Sequence, residues 1–222
     1  MAKRIFQFIL LAAAFALIAG FSACGTTESA LTSGGITAPP AAAGARTVEN
    51  LQTAYDGESN ANVKYLAFAK KADEEGYLMV ASLFRAAASA EEIHKNNHAD
   101  VIRKMGSEPK AEIKPAEVKT TAENLKSAIE GETYERDKMY PDFLTEARAS
   151  DNKDAVRTFN LAKTAEAEHA KLYSEALANL EAWRGAKATF FVCPTCGFTS
   201  KEALLEKCPV DFTPKNKFEA IS

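Results

Sequence analysis

Cysteine is scarce in this chain of 222 residues and unevenly placed: one of the four stands at Cys24, and the others fall between Cys193 and Cys208. That distribution excludes a disulfide framework running through the fold and suggests a local metal cluster near the C-terminus. An excess of basic residues is also missing. Lys and Arg number 27 against 30 Asp and Glu, for a net charge of −3, which argues against a nucleic-acid partner. Between Thr47 and about Gly185 there are few β-branched runs and much Ala, Glu, Lys and Leu, a composition that favours helix. Histidine occurs only three times, and the placement of those three is the most informative feature of the sequence.

The first 23 residues read as an export signal, with Lys3 and Arg4 ahead of an apolar run from Ile5 to Gly20 broken only by Gln7. Ser22-Ala23-Cys24 resembles a lipobox, in which Cys24 is lipidated and becomes the new N-terminus, although Phe21 stands where that pattern prefers Leu. The alternative is an uncleaved anchor, since ~20 apolar residues span a bilayer. Either way the remainder is expected outside the cytoplasmic membrane, facing the periplasm or cell exterior. Cleavage removes Lys3 and Arg4 and no acid, moving the net charge from −3 to −5. Residues 24–46 are Gly, Ala, Ser, Thr and Pro with almost no large apolar side chain, the composition of a flexible tether.

Steps of four and three residues pick out four helical seams. They run Leu51, Tyr55, Glu58, Asn62, Tyr65, Ala69; then Val80, Phe84, Ala87, Glu91, His94, His98, Val101, Met105; then Leu125, Ala128, Glu132, Glu135, Met139; and last Phe159, Ala162, Glu166, His169, Tyr173, Ala176, Leu180, Trp183. Each seam is apolar at its ends and carries Glu or His in the middle, which is costly in a buried stripe unless something satisfies those groups. Two of the three histidines sit in Glu-x-x-His, Glu91/His94 and Glu166/His169. That spacing puts both side chains on one helix face, about 60° apart. Two such faces with glutamates from two further helices make the ligand set of a carboxylate-bridged di-iron or di-manganese site in a four-helix bundle. His98 shares the second seam but has no Glu three residues before it, so it reads as a flanking or partly exposed histidine, with a functional role as the alternative.

Depth along the bundle agrees. With turns near Gly76 and Asp151-Asn152, Glu58 lies 18 residues before the first turn, and Glu91 and His94 lie 15 and 18 after it. Glu132 and Glu135 lie 19 and 16 before Asp151, and Glu166 and His169 lie 15 and 18 after it. In antiparallel hairpins equal distances from the turn mean equal height, so all these residues fall in one layer. Gly106 to about Thr121, with Pro109 and Pro115, is long enough for the single crossover of a ferritin-like bundle.

The stretches YDGESNANVKY, AEEIHKNNH, EGETYERDKMYPDF and AEAEHAKLY, followed by VCPTCGF and KCPVDFTPKNKFEAI, resemble the rubrerythrin family over about residues 47–222. The resemblance implies an all-α, ferritin-like four-helix bundle over residues 47–185 and a small rubredoxin-like metal-knuckle domain over 188–222. It also implies that Glu91 and Glu166 bridge two irons, Glu58 and Glu132 are terminal ligands, and His169 holds one iron. Glu135 and His94 would be alternative ligands of the other, exchanged with oxidation state. Tyr65 and Tyr140 would flank the site, with core packing as their other reading. The family is commonly dimeric, so a homodimer is expected.

The small domain departs from its pattern. Cys193-Pro-Thr-Cys196-Gly197 is a metal knuckle in which Gly197 permits the backbone geometry, but Cys208-Pro-Val is followed by Asp211 where a fourth cysteine is expected. Cys193, Cys196, Cys208 and Asp211 could hold iron or zinc; the alternatives are a vestigial fold without metal or a Cys193–Cys196 disulfide. In the family a four-thiolate iron passes electrons to the di-iron site, and Asp211 leaves that delivery open. The resulting expectation is a non-haem di-iron peroxidase acting on hydrogen peroxide with electrons from an unidentified donor. A ferritin-like iron-binding protein or ferroxidase without peroxide turnover is the alternative, and an inert bundle using metal only for stability is a third reading.

Overall fold

A computed structural model describes residues 40–222 apart from 204 and 205. The export segment and Cys24 lie outside the described residues. Helix α1 (Pro40–Glu74) begins ahead of Thr47, so residues 40–46, assigned to the tether by composition, are helical. Helix α2 (Leu78–Lys104) returns alongside it after a turn in which Gly76 has φ +80, a left-handed conformation that glycine adopts without a Cβ clash. Their contact is the most extensive between any two elements.

The third rod comes in two pieces. Helix α3 (Thr121–Tyr134) starts in a capping box: Thr120 accepts from the Glu123 amide, and the Glu123 carboxylate accepts from the Thr120 amide. At Glu135–Met139 the helix widens into a π-turn, in which the Tyr140 amide reaches back to Glu135 O, and then resumes as α4 (Tyr140–Ala149). Pro141 stands at the start of α4, where its missing N–H and bulky ring are incompatible with an undisturbed α-ladder. After a turn at Asp151 (φ +49), Asn152 caps α5 (Lys153–Ala178) by accepting from the Ala155 amide at 2.9 Å. The last helix ends before Leu180 and Trp183, which were expected on its seam. The chain instead folds back over the α1–α2 turn, where the Gly185 amide donates to Gly76 O.

Two apolar clusters fill the bundle. One is built on Tyr65, Phe68, Phe84, Leu125 and Tyr173, the other on Leu51, Ile102, Leu144, Tyr140 and Phe159. Along every rod the glutamates fall between members of these clusters, so the polar layer has an oily layer on each side. Residues 186–222 carry a small antiparallel sheet in the order β2-β1-β3, from Phe190–Val192 (β1), Thr199–Ser200 (β2) and Glu219–Ile221 (β3). The small domain is therefore built on a sheet with one short 3-10 turn (Lys215–Lys217) and departs from the all-α bundle, as its knuckle sequence implied.

The crossover between α2 and α3 runs extended along α1 and is held by side chains of that helix. The Lys110, Glu112 and Lys114 amides donate to Gln52 Oε1, Asp56 Oδ1 and Asn60 Oδ1 at 3.1, 2.7 and 2.9 Å. Gln52 and Asn60 also donate to the carbonyls of Glu108 and Glu112. The pairing works because four residues of helix rise about 6 Å and two residues of extended chain span about 6.6 Å, so the two repeats nearly match. Removing the central acceptor in Asp56→Ala should speed amide exchange at Glu112 by about tenfold, the equivalent of one modest hydrogen bond. The melting temperature should change little; unchanged exchange in a mass-spectrometric time course would contradict this account of the strap.

Candidate metal centre

Glu58 from α1, Glu91 and His94 from α2, Glu132 from α3, and Glu166 and His169 from α5 meet at the bundle centre, none more than 1% exposed. Their donor atoms form two overlapping groups, each within 4.8 Å: Glu58, Glu91, His94 and Glu166, and Glu91, Glu132, Glu166 and His169. Glu91 and Glu166 belong to both. Glu135 is in neither; it is only half-buried, at the head of the π-turn. In this conformation His94 fills the position for which the sequence offered Glu135 and His94 as alternatives.

The arrangement has an approximate two-fold pattern. Tyr65 O–H donates to Glu132 Oε1 at 2.7 Å, and Tyr140 O–H donates to Glu58 Oε1. Each outer glutamate thus has one oxygen engaged and leaves Oε2 without a partner. Tyr65 stands seven residues after the glutamate of its own rod and Tyr140 stands eight after its own. The π-turn accommodates the additional residue and returns Tyr140 to the equivalent face.

Both ligand histidines are oriented from outside the bundle. His94 Nε2–H donates to the carbonyl of Cys196 at 3.0 Å, which turns Nδ1 inward to within 2.8 Å of Glu91 and 2.9 Å of Glu166. His169 Nε2 lies 3.1 Å from Thr199 Oγ1, whose own proton goes to Gly197 O, so the hydroxyl accepts and His169 Nδ1 also points inward. Fixing the distal nitrogen in this way selects the tautomer a metal requires. Gly197 (φ +73) has a second reason to be glycine: a Cβ there would collide with the His94 ring. Thr199 carries no sequence signal for this role, because its partner is 30 residues away on another element.

His98 is fully buried. It donates from Nε2 to Tyr140 Oη at 3.1 Å, and its Nδ1 accepts from Thr158 at 3.0 Å. Burial, with the nearby charge of His94, pushes its pKa down to about 3, so it is a neutral support for Tyr140.

The donor atoms fit a pair of metal ions. Glu58 Oε2, Glu91 Oε1, Glu132 Oε2, both Glu166 oxygens and His169 Nδ1 are buried without a well-directed hydrogen bond. Four carboxylates confined in one buried layer repel one another, and such groups are rarely left unsatisfied unless cations offset them. Oxygen with imidazole nitrogen suits iron or manganese. A separate group, Cys193, Cys196, Cys208 and Asp211, lies within 4.8 Å in the small domain. All three cysteines are reduced and buried, so the expected alternative of a Cys193–Cys196 disulfide is not what the fold contains.

Burial, and then the charges of Glu91 and Glu166, raise the Glu132 pKa to about 8, and Glu58 is raised by the same causes. Burial works against charge on His94 and His169, but the surrounding carboxylates outweigh it and raise both. Without metal, all four groups bind protons more tightly when folded. The carboxyl contributions are complete below about 4.5 and those of the histidines below about 6.5, and each is lost as pH rises through the folded value. Burial also opposes charge on Glu166, yet His94 and His169 hold its pKa down, so its opposite contribution falls below pH 4.5. Chelator-treated protein should therefore be less stable at pH 8 than at pH 5, by on the order of a few kcal/mol. Reloading metal should remove the difference; flat denaturant midpoints in the chelated form would contradict it.

The Rubrerythrin family model matches residues 49–177. Nigerythrin of Nitratidesulfovibrio vulgaris is 42% identical over 178 residues, covering 78% of this chain and 86% of that protein. Rubrerythrin-2 of Clostridium acetobutylicum is 35% identical over 179 residues, covering 80% and 97%. The structure of fully reduced, all-ferrous nigerythrin superposes with a TM-score of 0.73 at 40% identity, covering 78% of this chain and 86% of that one. A Desulfovibrio desulfuricans bacterioferritin, at TM-score 0.62 and 19% identity, shares the fold. With four rods, a long crossover, two metal positions sharing two glutamates and a C-terminal knuckle, this chain belongs to the rubrerythrin family.

Proposed function

We propose that this protein is a non-haem di-iron peroxidase that reduces hydrogen peroxide to water, in the oxidative-stress role of a rubrerythrin. The observation that carries the reading is the pair of four-donor groups sharing Glu91 and Glu166. Glu91 and Glu166 would bridge, Glu58 and Glu132 would be terminal, and His94 and His169 would hold one ion each. A bound ferrous pair would supply the two electrons of H2O2 + 2H+ + 2e− → 2H2O, and a separate donor would restore them.

The protein's own contribution is positioning and protons. Tyr65 and Tyr140 fix the outer glutamates through Oε1, which leaves Oε2 aimed inward. Their buried hydroxyls, raised well above the ordinary phenol value by burial and by the neighbouring carboxylates, stay protonated and keep their single proton on those glutamates, leaving an oxygen lone pair that can accept from a bound O–H group. His98 holds Tyr140 in place. Glu135, at the head of the π-turn, would be the residue that exchanges with His94, as the family resemblance implies; π-turns are frequent at functional sites. The apolar clusters on both sides keep bulk water from the reacting layer.

Stopped-flow mixing of ferrous-loaded protein with peroxide or dioxygen tests this reading. Peroxide should oxidise the site much faster than dioxygen; the reverse order would favour the ferroxidase alternative. Tyr140→Phe should retain two irons per chain and slow the peroxide reaction by about tenfold or more. We also place the bundle outside the cytoplasmic membrane, tethered through lipidated Cys24. The wild-type protein should then incorporate labelled palmitate and Cys24→Ala should not, and an unlabelled wild-type protein would count against the tether.

A further inference from the structure

The three-cysteine cluster of the small domain is built from two turns of the same design, and only one of them has two thiolates. In the first, the Cys193 amide donates to Phe198 O at 2.9 Å and the Gly197 amide to Cys193 O at 2.9 Å. In the second, the Cys208 amide donates to Thr213 O at 2.7 Å and the Phe212 amide to Cys208 O at 3.1 Å. The offsets of five and four residues are identical, and a proline follows the first cysteine in both, Pro194 and Pro209. Gly197 and Phe212 occupy equivalent left-handed positions, φ +73 and +64. Asp211 is thus the structural counterpart of Cys196.

The second turn keeps its shape although a bulky residue is disfavoured at a left-handed φ. Phe212 is 64% exposed, so burial of its ring does not explain the conformation. The conformation does aim position 211 at the cluster. The Thr213 amide donates to Asp211 Oδ1 at 2.9 Å, and Oδ2 lies 3.5 Å from Cys193 Sγ. Across the group, Cys196 Sγ and Cys208 Sγ are 3.6 Å apart. The Val210 amide donates to Cys208 Sγ at 3.4 Å, a bond that favours a thiolate. Thr213 Oγ1 donates to Thr195 Oγ1 at 3.0 Å and ties the turns together.

We propose that Asp211 is the fourth ligand of a tetrahedral three-sulfur, one-oxygen site for a single divalent first-row ion of the zinc type. A four-thiolate iron of the kind the resemblance implies does not fit this chain, because position 211 offers a carboxylate. Cysteine sulfur with aspartate oxygen is an accepted donor set for zinc. The proposal does not rest on peroxide turnover in the bundle, whose two donor groups hold only carboxylate oxygen and imidazole nitrogen.

Cobalt(II) titration of the full reduced chain reads the site selectively, since only the thiolate site produces sulfur-to-metal charge transfer. The wild-type protein should show three-thiolate charge transfer together with tetrahedral ligand-field bands. In Asp211→Cys the charge-transfer intensity should rise by about a third, one thiolate added to three, and the ligand-field bands should move to lower energy. Asp211→Ala and the isosteric Asp211→Asn should lose zinc affinity by at least about tenfold in competition with a chromophoric chelator, since even outer-shell losses cost that much. Undiminished zinc affinity and an unaltered cobalt spectrum in Asp211→Ala would overturn the proposal. So would an Asp211→Cys protein that keeps the wild-type far-UV circular dichroism and melting temperature yet shows no added charge transfer; the expected rise is a gain of signal that misfolding cannot imitate.

Discussion

The constraint on which this molecule turns is the mutual repulsion of glutamates held in a layer shielded from bulk solvent. Glu58, Glu91, Glu132 and Glu166 have no exposed surface, and Glu58 Oε2, Glu91 Oε1, Glu132 Oε2 and both Glu166 oxygens lack a well-directed hydrogen bond. Every neighbouring feature can be read as containing that charge. Tyrosines engage the outward oxygens, histidines present an inward nitrogen, and aromatic clusters above and below stop the layer from relaxing toward solvent. The bundle resembles a clamp whose jaws are pushed apart by charge and closed by cations.

Much of this was legible because helix periodicity and hairpin symmetry are rigid rules. The seams through Glu58, Glu91/His94, Glu132 and Glu166/His169 led to the right layer, since an antiparallel turn converts sequence distance into height. The third seam was legible only as far as Met139. The π-turn adds a residue there, so Tyr140, Leu144 and Ala147 carry the buried face onward. Nothing in a periodic template announces such an insertion except Pro141. The start of α1 was missed because alanine-rich sequence reads equally as tether or helix. Thr199 and Thr158 were invisible because their histidine partners are distant in the chain, and a threonine has no spacing rule.

The small domain is an integral part of the site. Its first turn supplies the Cys196 carbonyl to His94, and its β2 supplies the Thr199 hydroxyl to His169. The two imidazoles are thereby aligned by one short stretch of chain. Gly197 lies so close to His94 that a side chain there would displace the ring. The glycine of a metal turn thus also serves the neighbouring centre, and the geometry of each metal-binding region constrains the other.

The strap along α1 has a consequence for how this fold can vary. Gln52, Asp56 and Asn60 accept from every second amide of residues 110–114, and in an extended chain the amides between point the other way. Adding or deleting a single residue inside that stretch would present the wrong set of N–H groups to the helix, as a one-residue slip does between paired strands. Length change is tolerable there only in twos, or else outside the span that Gln52 and Asn60 reach. A helix flank and an extended segment here obey a parity rule ordinarily reserved for sheets.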